Sequence, residues 1–319
     1  MRKLLVPFLA LMFIGFSSDN AFAQQDAQYT QYMYNTLSIN PAYAGSRDVL
    51  SVLGLYRNQW FNNIEGAPNT YTFSIHSPFG KNVGLGLNVV RDEIFITNET
   101  YIDLAFSYTL NLSEEGRLNL GLKGGAHLLD VNFDQTNPFQ NGDTQATAQP
   151  NIDNKFSPQF GLGAYYYTNK FYLGFSAPNV LETDHFDESS TLGSSSSNSS
   201  ATAKEKVNFY LMSGYVFELN RDLDLKPSGL VKAVEGAPLQ VDLSLNALIK
   251  DKLTLGVAYR WSAALSAMAG FQLSDELMLG IAYDRETTAL NQFNSGSYEI
   301  FLRYELFKKE ERMISPRFF

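Results

Sequence analysis

Apolar and polar residues alternate along most of this chain in runs of about ten, the length a tilted strand needs to cross a bilayer. Val83, Leu85, Leu87 and Val89 alternate with Asn82, Gly84, Gly86 and Asn88. Ile102, Leu104, Phe106, Tyr108 and Leu110 alternate with Tyr101, Asp103, Ala105, Ser107 and Thr109. The same period returns over 239–247, through Leu277, Leu279, Ile281 and Tyr283, and finally through Tyr298, Ile300, Leu302, Tyr304 and Leu306. A period of two gives one face for an apolar medium and one for water, which is a strand and not a helix. Strands are predicted over 49–60, 69–77, 82–91, 99–111, 117–130, 157–168, 170–178, 206–218, 223–233, 239–249, 252–262, 264–273, 276–285 and 297–307, fourteen in all.

The connections sort into two classes. Those after even-numbered strands are tight, as at Phe79-Gly80-Lys81, Glu114-Glu115-Gly116, Thr168-Asn169-Lys170, Asn220-Arg221-Asp222, Lys250-Asp251 and Ser274-Asp275. The others are longer, over 61–68, 92–98, 131–156, 179–205, 234–238 and 286–296, with one short exception near Ser262-Ala263. Tight turns at one end and long loops at the other are the periplasmic and extracellular ends of an outer-membrane barrel, whereas a sandwich has no reason to segregate them. Strands leaving tight turns also restart alike, as in Arg117-Leu118-Asn119-Leu120-Gly121, Lys170-Phe171-Tyr172-Leu173-Gly174, Lys252-Leu253-Thr254-Leu255-Gly256 and Glu276-Leu277-Met278-Leu279-Gly280. The repeating unit is one hairpin.

The expected fold is therefore all-β, an antiparallel transmembrane barrel of about 14 strands over 49–307. An even strand number places both termini in the periplasm. Residues 1–23 read as a cleaved signal peptide, with Arg2 and Lys3, an apolar stretch from Leu4 to Phe16, then Ala21-Phe22-Ala23. That stretch is too short to span hydrocarbon as a helix, and no later run is long enough. Residues 308–319 form a C-terminal periplasmic tail ending in Phe318-Phe319, a terminal aromatic of the kind many such barrels present for insertion. Between leader and barrel lies segment 24–48, where Tyr29, Tyr32, Met33 and Leu37 fall at near-helical spacing before Asn40-Pro41 ends the run. Two readings stay open for it: a plug or a periplasmic contact, or simply a cover for the barrel mouth.

Composition agrees: 18 Tyr, 24 Phe and 23 Gly accompany only 18% charged residues. The net charge of −9 argues against nucleic acid, which needs Lys and Arg to neutralise phosphates. Removing a leader that carries Arg2, Lys3 and Asp19 makes the chain more acidic still. With no cysteine, disulfides and thiolate metal sites are excluded.

Candidate chemistry is sparse. His76 and His127 fall on the polar register of their strands and read as lumen-lining residues. His185 sits in an acidic loop, Glu182-Thr183-Asp184-His185-Phe186-Asp187-Glu188, which lacks the spacing of a calcium loop. A serine-rich stretch follows from Gly193 to Ser200. Tyr56, Trp60, Tyr259, Trp261 and Tyr304 lie near strand ends, as girdle aromatics do. Nucleophile elbow, phosphate loop, zincin motif and dinucleotide fingerprint are all missing, so the chain reads as a non-enzyme with no cofactor.

Several motifs, in this order, carry a resemblance: Gln31-Tyr32-Met33-Tyr34-Asn35, Asn40-Pro41-Ala42-Tyr43-Ala44-Gly45-Ser46, Tyr56-Arg57-Asn58-Gln59-Trp60, Gly66-Ala67-Pro68, Phe156-Ser157-Pro158-Gln159-Phe160-Gly161, Lys226-Pro227-Ser228, Tyr259-Arg260 and Tyr283-Asp284. Together they resemble the PorP/SprF family of type IX secretion and gliding membrane proteins of Bacteroidetes. The resemblance implies an outer-membrane component that supports secretion or surface anchoring of a large adhesin or enzyme. Lumen and outer loops would hold the partner's C-terminal region, while the periplasmic segment would meet secretion or motility components. Candidate partner-binding residues are Tyr32, Asn40, Pro41, Tyr43, Arg57, Gln59, Trp60, Asp184 and Asp187. The rival reading is a passive porin, since Asn82, Asn88, Asp103, Lys123, Asp242 and Asn246 share the lumen register.

Overall fold

Backbone N–H and C=O groups facing lipid must be satisfied within the protein, and a chain of alternating strands can do this only by closing on itself. The computed structural model, which describes residues 28–61, 64, 66–135, 151–181, 183–184 and 204–306, shows that closure. The barrel strands are β1 (Leu50–Asn58), β2 (Asn69–Phe79), β3 (Val83–Ile94), β4 (Thr97–Asn111), β5 (Arg117–Val131), β6 (Ile152–Tyr167), β7 (Phe171–Ala177), β8 (Asn208–Tyr215, resuming as Phe217–Asn220), β9 (Leu223–Val234), β10 (Gln240–Ile249), β11 (Leu253–Arg260), β12 (Ala264–Gln272), β13 (Leu277–Glu286) and β14 (Ser297–Leu306). Each pairs antiparallel with its sequence neighbours. The seam joins β1 to β14 in continuous register, Leu50 opposite Leu306 and Asn58 opposite Tyr298. The fourteen strands form a single closed barrel.

Alternation in sequence becomes alternation of faces. Leu104, Leu243, Leu245, Ile281 and Leu302 point outward, while Asp103, Asp242, Ser244, Asn246 and Arg303 are buried inside. Outward aromatics lie toward both rims: near the long loops Tyr56 packs 5.1 Å from Tyr71 and Tyr283 lies 5.1 Å from Tyr298, and near the tight turns Tyr215 lies 4.7 Å from Phe217. Of the girdle residues expected from sequence, Tyr56, Tyr259, Trp261 and Tyr304 are exposed on the barrel surface. Trp60 is instead half-buried at the rim, its backbone N–H donating to Ser297 Oγ at 3.2 Å.

Two expectations about the long-loop rim need correction. Segment 92–98 is not a loop: β3 runs to Ile94, β4 starts at Thr97, and Phe95 turns the chain at φ 54°. Likewise β6 begins at Ile152, not at 157, with a register shift between the pairs Ile152–Val131 and Lys155–Leu129. There Asn154, at φ 49°, donates its backbone N–H to Asp130 Oδ1 at 2.7 Å. β4, β5 and β6 are 15, 15 and 16 residues long. That exceeds the roughly 9–11 a membrane strand needs. Their upper ends stand above the lipid, where no apolar face is required and the alternation that marks a strand fades. Segment 206–218 is also one strand in two pieces, because Val216 leaves the ladder and donates its N–H to Lys170 O at 2.8 Å.

The serine-rich stretch, Glu182, His185 to Glu188, the leader and the tail from 307 onward lie outside the described residues. Thr183 and Asp184 pair with Glu205 and Lys204 in a short ladder next to the long-loop rim.

Candidate functional site

The lumen is occupied by the chain itself. From Tyr29 to Ser46 every residue except Ser38 is buried, and this strap makes one pass through the barrel. Near-helical spacing yields only a single helical turn, α1 (Thr36–Ile39), because Pro41 cannot continue it. A 3-10 turn over Pro41–Tyr43 follows, its Asn40 side chain accepting the Ala42 N–H at 3.0 Å with proline at the first position. Apolar strap residues pack against an unusually apolar stretch of inner wall: Tyr32, Met33 and Leu37 join one buried cluster with Leu53, Leu55, Met268 and Phe301.

The strap's second half rests on a row of small residues. Gly84 of β3, Ser107 of β4, Gly121 of β5, Gly163 of β6 and Ser176 of β7 stand opposite one another in successive ladders, forming a belt on the inner wall. A Cβ on Gly84 would lie 2.1 Å from Ala44 O, one on Gly121 2.2 Å from Ala42 N, and one on Gly163 2.1 Å from Asn40 Oδ1. Only glycine permits that approach. The serines supply the bonds, Ser107 donating to Ala44 O and Ser176 to Ile39 O, both at 2.7 Å. Asn119 Nδ2 donates to Ala42 O at 3.1 Å, and the Gly45 N–H donates to His76 Nδ1 at 3.2 Å. At the tight-turn rim Arg47 forms a two-pronged ion pair with Glu305, at 2.7 and 2.9 Å.

The first half is held by charge on the opposite wall. Arg57 of β1 reaches Asp284 of β13 at 2.7 Å and Glu299 of β14 at 3.1 Å, all three buried. Glu299 also accepts the successive backbone N–H groups of Thr30 and Gln31, at 3.0 and 2.9 Å. Thr30 Oγ1 donates to Asp284 and accepts from Arg57 at 2.8 Å. One cation between two carboxylates leaves an excess negative charge, and the strap's two N–H dipoles help to offset it. Above this cluster Arg260 pairs with Asp242 at 2.6 Å and donates to Gln28 Oε1 at 3.0 Å and Tyr29 O at 3.3 Å. Gln28 in turn donates to Gln240, the first residue of β10. Gln28 therefore lies near the long-loop rim and Asp48, paired with Arg117 at the start of β5, at the tight-turn rim.

A half-open cavity of about 70 Å³ remains between the strap and the wall, lined by Tyr29, Ile39, Tyr101, Lys123, Gln159 and Tyr210, with Lys123 paired to Asp103 at 2.6 Å. His127 is fully buried, stacked on Tyr101 at 4.4 Å. No group of acidic and histidine side chains that could hold a metal exists among the described residues.

Of the candidate contact residues, Tyr32, Asn40, Pro41, Tyr43 and Arg57 thus come together in the strap and its seat. Gln59 closes the 59–68 loop, its N–H donating to Pro68 O at 2.9 Å, and with Trp60 lies on the long-loop rim. The backbone of Asp184 is in the short ladder there, and Asp187 lies outside the described residues. Sequence reasoning did not single out the belt or Asp284 and Glu299 as a cluster. The belt's traces in the sequence were Gly84 and Ser107 on the polar register and Gly121 in a restarted strand.

Solved structures similar to this chain are barrels. They include the outer membrane protein Omp33 of Acinetobacter baumannii (TM-score 0.46, 10% identity, 81% of this chain and 98% of that one) and the CymD monoaromatic hydrocarbon channel (0.48, 11%, 92% and 96%). The toluene transporter TodX of P. putida is another (0.44, 9%, 87% and 95%). At such scores the likeness says nothing of function. Comparison with curated proteins gives no match. Residues 21–304, which take in the strap and nearly the whole barrel, match the family described as type IX secretion system membrane protein PorP/SprF, and the chain belongs to that family of outer-membrane barrels.

Proposed function

We infer that this barrel serves type IX secretion as an outer-membrane receptor that holds a specific exported protein at its long-loop end, supporting that partner's secretion or surface anchoring. The observation that carries this reading is the strap. A lumen filled by buried side chains from Tyr29 to Ser46 is a poor solute path and a firm base for a docking surface. In this reading the tight turns and C-terminal tail face the periplasm and its secretion or motility components, and the long loops face outward. Gln59, Trp60, Asp184 and Asp187 contact the partner's C-terminal region directly. Tyr32, Asn40, Pro41, Tyr43 and Arg57 act through the strap they hold in place.

The test is cross-linked pull-down of the full-length protein in detergent. Recovery of one secreted or surface protein is expected, and recovery of none would overturn the reading. Polar lumen residues such as Asn88, Asp242 and Asn246 favour the alternative, a passive porin. Steady conductance of the intact protein in a planar bilayer would support it. Pores that open only after deletion of residues 24–45 would support the sealed barrel.

A further inference from the structure

The two halves of the strap are held in physically different ways. Asn40, Pro41, Ala42 and Ala44 lie against wall positions where a single added carbon would collide, so the turn is seated by shape. Residues 28–31 are held mainly by polar groups that water can replace, with the Tyr29 ring alone joining the apolar cluster: Glu299 and Asp284 oxygens, the Arg57 and Arg260 guanidiniums, and the Thr72 hydroxyl, 3.0 Å from Tyr29 Oη. Their partners stand at the upper ends of their strands. Arg260 ends β11, Gln240 begins β10, and Ser297, two residues from Glu299, begins β14.

We propose that the strap is a releasable closure: its amino-terminal end faces the long-loop opening, hence the cell exterior, and can leave the Glu299 cluster while the Asn40–Ala44 turn stays seated on the small-residue belt. The direction of the pass is the main argument, since Gln28 touches the long-loop end and Asp48 the tight-turn end. The chain therefore enters β1 from the periplasmic rim only after crossing the lumen from the outside. Charge balance is the second argument. With the first half in place Glu299 accepts two backbone N–H groups; with it gone, two carboxylates share one guanidinium, and the vacated groove draws in water. The outward orientation of the long loops comes from the reading above, so the experiment separates the two.

The chain has no cysteine, so each introduced thiol is unique. Gln28→Cys, Glu235→Cys on the long-loop rim and Glu115→Cys on a tight turn are reacted with a membrane-impermeant maleimide on intact cells. Expected is labelling of Cys variants at 235 and 28, slower at 28, with 115 reacting only after the outer membrane is permeabilised. If 235 reacts and 28 behaves like 115, the direction proposed for the strap is wrong although the orientation stands. If 235 is silent and 115 reacts, orientation and proposal both fail. Glu299→Gln in the Gln28→Cys background is expected to raise the labelling rate about tenfold or more, as a charge-assisted hydrogen bond is lost. An unchanged rate overturns release. Should Glu299→Gln fail to accumulate, Thr30→Val removes only the hydroxyl bonds to Asp284 and Arg57 and is read the same way.

Discussion

One half of the inner wall holds the strap by leaving room for it, and the other by charge. Across β3 to β7 the wall is Gly84, Ser107, Gly121, Gly163 and Ser176, with almost no side chain to offer. Across β1, β13 and β14 it carries Arg57, Asp284, Glu299, Arg303 and Glu305 around the apolar patch of Leu53, Leu55 and Phe301, with Arg303 set 5.5 Å from the Tyr34 ring. The first wall is damaged by adding atoms and the second by removing them. Shape decides where the Asn40–Ala44 turn lies, because a belt of glycines admits backbone at one height only. Charge decides whether the residues before it are bound, since the cluster is incomplete without them.

The sharpest way to break this contrast is Arg57→Leu, which leaves two buried carboxylates without their cation. A loss of about 3–5 kcal/mol is expected, read as a lower urea midpoint of the detergent-folded barrel by its shifted gel mobility. A loss below about 1 kcal/mol would mean that water already solvates the cluster. On the opposite wall Gly121→Val is expected to cost about 1–3 kcal/mol by forcing Ala42 off its seat. Limited proteolysis checks it, because a displaced strap becomes cleavable near Tyr43 while the strands stay protected. The smallest effect belongs to Ser176→Ala, which strips the donor from Ile39 O and should cost about 1 kcal/mol with no change in protease sensitivity. If the alanine variant released the strap as fully as the valine variant did, hydrogen bonding rather than space would hold this half.

The barrel was legible in the sequence because lipid enforces a period of two wherever it touches the chain. Leu104, Leu243 and Ile281 could be assigned to the outer face with no structure at all. The same logic explains what was missed. Above the bilayer Asp92, Glu93, Asn98 and Glu99 continue the β3–β4 ladder without an apolar face, so a strand reads as a loop. Inside, the site is assembled across the seam: Arg57, Asp284 and Glu299 are 227 and 242 residues apart along the chain, and nothing local marks them as partners. Nor does anything in Arg117-Leu118-Asn119-Leu120-Gly121 reveal that Asn119 and Gly121 face the Ala42 backbone. The resemblance pointed to Asn40, Pro41 and Tyr43, yet their role in seating the strap follows only from the belt beneath them.

The seam adds a constraint on biogenesis. The strap is synthesised before every barrel strand, and its carboxylate partners lie in the barrel's last hairpin, so Thr30 and Gln31 cannot find Glu299 until β14 exists. Contacts of such long separation form late in folding, after the loop entropy between them has been lost. Lodging the strap on its carboxylates and zipping β1 onto β14 thus both wait for the same strand, and a chain that stalls before Ser297 has neither a sealed wall nor an anchored strap. Completion of the protein is registered by the same carboxylate that later governs whether its lumen is shut.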